Sequence, residues 1–201
     1  MKFDKEYIRK NLQKTLPGLV SHRKLLPPGR KLTVVKEEEN SLKQSSVLFL
    51  LFREKEEIFL CLIKRPLHMK LHAGQIALPG GRTEKDETEL DTALRETFEE
   101  IGISPDQIEI LGKLSELYVS VSQFLIHPFV GWIDKKPVFT INQNEVEKLL
   151  LFPLLSYKNA FENVEVDTIS GKLPVPCIRF EGEIIWGATA MILSEFYDIM
   201  D

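Results

Sequence analysis

Leu78–Ile103 reads LPGGRTEKDETELDTALRETFEEIGI, and its second half carries a helical period. Leu90, Leu94, Phe98 and Ile101 recur at three- and four-residue steps with Thr97 on the same stripe, which predicts an amphipathic helix packing that side on a core. At about 100° per residue, Glu96, Glu99 and Glu100 project together from nearly the opposite side. Three carboxylates so close repel one another, and without a counter-charge at least one keeps its proton to higher pH. A bound cation relieves that repulsion, and ligands made only of oxygen suit Mg2+ or Mn2+ better than zinc. A solvated acidic face is nonetheless the commoner fate of a Glu triplet on a helix. Ahead of the helix, Pro79-Gly80-Gly81 supplies a turn that tolerates positive φ and approaches a ligand closely, with carbonyls free to join a metal shell.

Outward from this stretch, 201 residues suffice for one well-buried core. Hydrophobic residues at 43% and charged residues at 28% are an ordinary globular composition, neither disordered nor membrane-embedded. No apolar run approaches the ~20 residues that span a bilayer. MKFDKEYIRKNLQKTL lacks the apolar stretch and cleavage site of a secretory signal, and its acids argue against a transit peptide, so the expected compartment is the cytoplasm. A formal net charge of -4 disfavours broad nucleic-acid binding. An anionic substrate then needs locally placed cations. Cys61 and Cys177 stand far apart in apolar, strand-like surroundings and read as buried free thiols. Monomer and homodimer both stay open, because apolar terminal helices can pack on the core or on a second copy.

Along the chain, residues 3–15 predict a helix with Phe3, Tyr7, Ile8, Leu12 and Leu16 on one side, ended by Pro17-Gly18. His22, Arg23, Lys24, Pro27, Pro28, Gly29 and Arg30 mark a basic connector, read as a solvated linker in preference to a lip over a phosphate site. Residues 1–30 thus form a helix and connector packed on a domain of residues 31–201. Glu37-Glu38-Glu39 reads as an exposed loop. Ser46–Phe52 and Ile58–Ile63 predict a buried hairpin, and Ile108–Leu114, Glu116–Ser122 and Leu125–Ile133 further strands. Asn142–Val146 opens a short helix through Leu151, stopped by Pro153. Pro174–Arg179 and Glu183–Trp186 predict a late hairpin, followed by a helix with Ile192, Leu193, Phe196 and Ile199 on its apolar stripe.

The full spacing runs Gly81, five residues, Glu87, seven residues, Arg95-Glu96, two residues, Glu99-Glu100, one residue, Gly102-Ile103. It resembles the Nudix box of hydrolases that act on compounds linked to a nucleoside diphosphate. Thr97 departs from the box, where an aliphatic residue usually follows Arg-Glu, although its methyl can still pack. Upstream, LIKRPLHMKLHAGQIALPGG is similar to a motif of coenzyme A pyrophosphatases, with Leu62, Arg65, Gly74, Pro79, Gly80 and Gly81 in register. Lys70 replaces an Arg, keeping the charge without the bidentate fork; Leu78 replaces Phe, Pro66 a small residue and Ile63 a Thr. Trp186-Gly187-Ala188-Thr189-Ala190 is similar to a run in the same group of proteins.

The resemblance implies an α/β fold, the Nudix α/β/α sandwich with a central mixed β-sheet. It implies a metal-dependent pyrophosphohydrolase that cleaves coenzyme A or its derivatives to 3',5'-ADP and 4'-phosphopantetheine. A pyrophosphatase for ADP-ribose or a dinucleotide, and a non-catalytic nucleotide-binding module, are the alternatives. Carried onto this chain, Glu96, Glu99 and Glu100 with the Gly81 carbonyl would hold Mg2+ or Mn2+, and Glu99 would be a third ligand or the base for water. Arg95 would tie down Glu87, with Gly80 and Gly102 shaping the backbone. Arg65, Lys70, His72 and Gly74 would meet the small-molecule substrate. Glu145, in a segment similar to one that commonly reaches the Nudix site, is a further catalytic carboxylate. It reads equally well as a helix-start acid favoured by the dipole.

Overall fold

Two apolar runs on either side of Lys55-Glu56 fold back as β1 (Lys43–Glu54) and β2 (Glu57–Lys64), paired from Leu51↔Leu60 to Glu54↔Glu57. The computed structural model describes residues 4–33, 42–69, 72–159, 161–168 and 171–201. Along β1, Phe49 and Leu51 enter one core cluster while Leu48, Leu50 and Phe52 enter another. A strand covered on both faces has no polar side, which is why this one reads as a continuous apolar run.

Away from their turn, β1 and β2 part. β3 (Ile76–Ala77) pairs with Ile63–Lys64 and β4 (Gly80–Arg82) with Ser45–Val47, so the segment carrying Pro79-Gly80-Gly81 fills the wedge between them. Beyond it, β5 (Glu109–Lys113) and β6 (Leu117–Val119) share the outer edge of β7 (Phe124–Ile133). β7 runs parallel to β1, and β8 (Lys148–Pro153) lies antiparallel on the free edge of β2.

This mixed sheet lies between helices. α3 (Glu89–Ile101) covers the Leu48/Leu50/Phe52 face with Ala93 and Ile101. α1 (Lys5–Leu12) and α4 (Gly187–Met200) cover the other, with Ile8, Leu12, Ile192, Leu193 and Phe196 in its cluster. Phe196 stacks on Phe49 with ring centroids 4.4 Å apart. The α/β/α sandwich is therefore as expected. A second, three-stranded sheet of β9 (Phe161–Thr168), β10 (Gly171–Phe180) and β11 (Glu183–Trp186) leads into α4. Among the described residues no helix is long and apolar enough to cross a membrane.

Three expectations are corrected. The first helix is shorter than residues 3–15: Asp4 caps it by accepting from the Tyr7 N–H at 2.8 Å, and it ends at Leu12. The basic connector is folded in part, with Arg23 and Lys24 exposed. Residues Leu19–His22 form a short helix, α2, followed by a turn of 3-10 helix at Arg23–Leu25, with Ser21, His22 and Leu25 buried. They are held there by Glu195 of α4, whose buried carboxylate accepts from the Gly18 N–H (3.0 Å) and the Ser115 N–H (3.1 Å) and lies 3.1 Å from His22 Nε2. Finally, the helix expected from Asn142 to Leu151 is a turn followed by β8. Leu150 and Phe152 meet one core cluster and Leu149 and Leu151 the other, a double-faced burial that leaves no strand period to read. The Glu37–Glu39 loop lies outside the described residues, and β9, whose Glu162, Glu165 and Asp167 dilute its apolar signal, was not foreseen.

Candidate active site

α3 is fixed at both ends. Thr88 Oγ1 accepts from the Asp91 N–H (3.2 Å) while the Asp91 carboxylate accepts from the Thr88 N–H (3.3 Å), a capping box. At the far end Gly102, at φ +75°, donates its N–H to the Phe98 carbonyl at 2.9 Å. The side that packs is Thr92, Ala93, Thr97, Glu100 and Ile101, whereas Phe98 is 53% exposed. Small residues at 93 and 97 set that side, so reading the stripe from the largest apolar residues rotates it. Thr97 satisfies its hydroxyl by donating to the Ala93 carbonyl at 2.7 Å and is fully buried.

The rotation carries Glu100 inward. It is 1% exposed, accepts from the Gly80 N–H at 2.9 Å, and lies 3.7 Å from Arg65 Nη1. Glu96, Glu100 and Glu145 each offer an oxygen, all within 4.8 Å of one another. Burial pushes the Glu100 carboxyl up to about 8, against the Gly80 N–H and Arg65, which favour its charged form. Burial also raises Glu96, opposed by Arg95. Glu99 falls outside the trio; its half-exposed carboxylate pairs with Arg95 Nη1 at 2.9 Å. Glu145 stands in the trio, and no helix starts there for its charge to favour.

Arg95 organises the outer side of the site. Its Nε is 2.6 Å from Glu87, its Nη1 2.8 Å from Glu96, and its Nη2 donates to the Arg82 carbonyl at 3.3 Å. Hydrogen bonding to Arg95 holds the Glu87 carboxyl down to about 2 and pushes the guanidinium upward in turn. Opposite, the two glycines are required by contact. A Cβ on Gly80, at φ +153°, would collide with the Ser46 carbonyl and the Val47 backbone, and a Cβ on Gly81 would enter the Glu96 carboxylate. The Gly81 carbonyl accepts from Ser45 Oγ at 2.8 Å. Ser45 was not foreseen; a Ser ahead of an apolar strand carries no signal of such a role.

The loop after β2 closes through Arg65 N–H to the Gln75 carbonyl and Gly74 N–H to the Arg65 carbonyl, each 3.0 Å. Of the expected substrate contacts, Arg65 therefore reaches the carboxylates, and Gly74 (φ +69°) makes the turn that places it. His72 is exposed, at φ +56°, with Nδ1 2.9 Å from Gln75 Oε1. Lys70 lies outside the described residues. Lys64, also unforeseen, ties the loop base to Glu147 (3.2 Å) and to Glu183 at the start of β11 (3.1 Å).

Three converging carboxylates, with Glu100 and Glu96 raised chiefly by burial, fit a hard divalent cation bound through oxygen. The linkage has a definite sign. Folded Glu100 and Glu96 bind protons more tightly than an unfolded chain does, so between the ordinary carboxylate value of 4.5 and the value of about 8 for Glu100 unfolding releases protons and stability falls as pH rises. Glu87, lowered to about 2 in the folded chain, acts the opposite way only at the acid end of that window, where an unfolded chain still holds part of its proton, and adds no slope above about pH 6. The metal-free protein should lose melting temperature from pH 5 to pH 8, by roughly 2–4 °C per kcal/mol. Millimolar Mg2+ should raise the melting temperature more at pH 8 than at pH 5. A cation effect of equal size at both values would break the link between these carboxyls and the ion.

A family model described as NUDIX domain matches residues 42–167. Nudix hydrolase 3 of Caenorhabditis elegans is 38% identical over 96 residues, which are 46% of this chain and 40% of that protein's length. A Pectobacterium atrosepticum protein named Uncharacterized Nudix hydrolase NudL is 34% identical over 139 residues, covering 68% of this chain and 72% of its own. Among solved structures, the M. smegmatis Nudix hydrolase RenU matches with a TM-score of 0.56 at 14% identity, over 78% of this chain and 84% of that one. That last likeness is one of fold.

Proposed function

Because the chain belongs to the NUDIX domain family, whose hydrolases act on phosphoric anhydrides and generally use divalent metal ions, we propose that it is a pyrophosphohydrolase of coenzyme A or its derivatives, working with Mg2+ or Mn2+ in the cytoplasm. The convergence of Glu96, Glu100 and Glu145 within 4.8 Å, next to Arg65, carries the hydrolase part of this reading. The coenzyme A part is supported by Leu62, Arg65, Gly74, Pro79, Gly80 and Gly81 standing in register with the upstream motif.

Glu96, Glu100 and Glu145 would hold the ion. When bound, it supplies charge neutralisation at the diphosphate and acidifies water. Arg65 contributes a guanidinium at the edge of the carboxylate trio, where one phosphate of the substrate is gripped and oriented. Glu99, half-exposed and tethered to Arg95, takes the proton from the attacking water. The water oxygen bonds to one phosphorus, the bridging P–O bond breaks, and the other phosphate leaves; no covalent enzyme intermediate forms. Arg95 keeps Glu87, Glu96 and Glu99 in register throughout.

Incubation with coenzyme A, ADP-ribose and NADH in the presence of Mg2+, with separation of the products, tests the proposal. Coenzyme A should give 3',5'-ADP and 4'-phosphopantetheine with the highest kcat/KM of the three. Preference for ADP-ribose or NADH would overturn the coenzyme A assignment. Binding without turnover of any of them would overturn the hydrolase.

A further inference from the structure

Glu145 differs from its two partners in how it is placed. Glu96 and Glu100 ride on a capped helix, whereas Glu145 sits in the turn before β8, on backbone with no helical ladder to hold it. What holds it is one residue. The main-chain N–H of Asn142 donates to the Glu100 carbonyl at 3.0 Å, and its carbonyl accepts from the N–H groups of Glu145 (3.0 Å) and Val146 (2.9 Å). Its side-chain Oδ1 accepts from the Asn144 N–H at 3.1 Å, and its Nδ2 donates to Glu145 Oε1 at 3.2 Å. The amide orientation follows from its partners: an N–H requires an acceptor and a carboxylate a donor, so the two ends cannot be exchanged. Two residues back, the Thr140 N–H donates to the Ile101 carbonyl at 2.9 Å, so two carbonyls of the last turn of α3 are capped by this segment.

We infer that Asn142 is the positioning residue of the third carboxylate: it anchors the 140–146 turn to the end of α3 and aims Glu145 at Glu96 and Glu100. The inference rests on the metal-site reading above and adds to it a residue that touches neither ion nor substrate. An aspartate here would keep the turn but set a second carboxylate against Glu145, and an aliphatic residue would lose both side-chain bonds. Asparagine supplies the acceptor for Asn144 and the donor for Glu145 from two separate atoms, one at each corner of its amide, where a hydroxyl would have to serve both from one position.

The test is Mn2+ binding by titration calorimetry to the full chain, to Asn142→Ser, to Glu145→Gln and to the double variant. A serine hydroxyl can still accept from the residue-144 N–H and leaves every backbone bond of residue 142 in place, but it falls short of Glu145. Asn142→Ser should therefore keep a metal-free melting temperature close to the parent's while weakening Mn2+ binding roughly tenfold, the effect of a lost hydrogen bond to a charged group. The substrate KM at saturating metal should not move. Because Asn142 acts through Glu145, the double variant should bind Mn2+ no more weakly than Glu145→Gln. Parental affinity in Asn142→Ser, or additive losses in the double variant, would overturn the inference while leaving the metal site standing. Absence of Mn2+ binding by the unaltered chain would overturn the metal site itself.

Discussion

Glu100→Gln should abolish metal-dependent turnover, by a factor of at least about 1,000, the scale of losing one transition-state stabiliser in a water-poor site, and should leave the metal-free protein at pH 8 no less stable than the parent. Both halves come from the same geometry. Glutamine keeps the shape of the side chain and an oxygen for the Gly80 N–H, so the 2.9 Å bond that seats it between α3 and β4 persists. What disappears is the charge. At pH 8 the parent must either ionise a carboxyl that is 1% exposed or hold a proton there. Lifting that carboxyl to about 8 disfavours the charged form by a few kcal/mol, at about 1.4 kcal/mol per pKa unit. The amide removes that penalty and, with it, the site's grip on a cation. Thermal melting with and without Mg2+, beside turnover, checks both: a variant that unfolds would show the residue to be structural, and one that turns over normally would remove Glu100 from the metal site.

The adjacent glycines should separate fold from chemistry. Gly80→Ala should cost roughly 3 kcal/mol, and about 10 °C of melting temperature, because the new methyl meets the Ser46 carbonyl and the Val47 backbone within the sheet, at a φ that L residues avoid. Gly81→Ala should cost far less stability, since the group in its way is the far end of the Glu96 side chain, which can swing aside. The displacement would move a proposed metal ligand, and a misplacement of about 1 Å costs about 100-fold in rate. Melting curves and kcat for the two variants side by side decide this. Equal stability losses, or a fully active Gly81→Ala, would contradict the packing of Glu96 on Gly81.

The Arg95–Glu87 pair was legible through the resemblance to the Nudix box, and it forms as expected because both partners belong to one helix and its entry loop. The azimuth of that helix was not legible. Leu90, Leu94 and Phe98 outweigh Ala93 and Thr97 in any hydrophobic reading, yet a close approach to the sheet favours the small residues, and this decided that Glu100 and not Glu99 turns inward. Glu145 was visible as a candidate through the resemblance of its segment to one that reaches the Nudix site; the competing reading as a helix-start acid fails because it lies in a turn, and pairing of β8 with β2 brings it to the other two. The burial of His22 was illegible because its partner, Glu195, lies 173 residues away and on a helix whose apolar stripe drew the eye instead.

That clasp has a consequence for the order in which the molecule is completed. The Leu19–His22 turn leaves the ribosome long before Glu195 is made, and until α4 docks, nothing waits at its destination to receive the imidazole. Closure over so long a separation is slow compared with hairpin or helix formation. Residues Leu19–His22 must therefore wait for α4, and the sealing of this interior is a late step in folding.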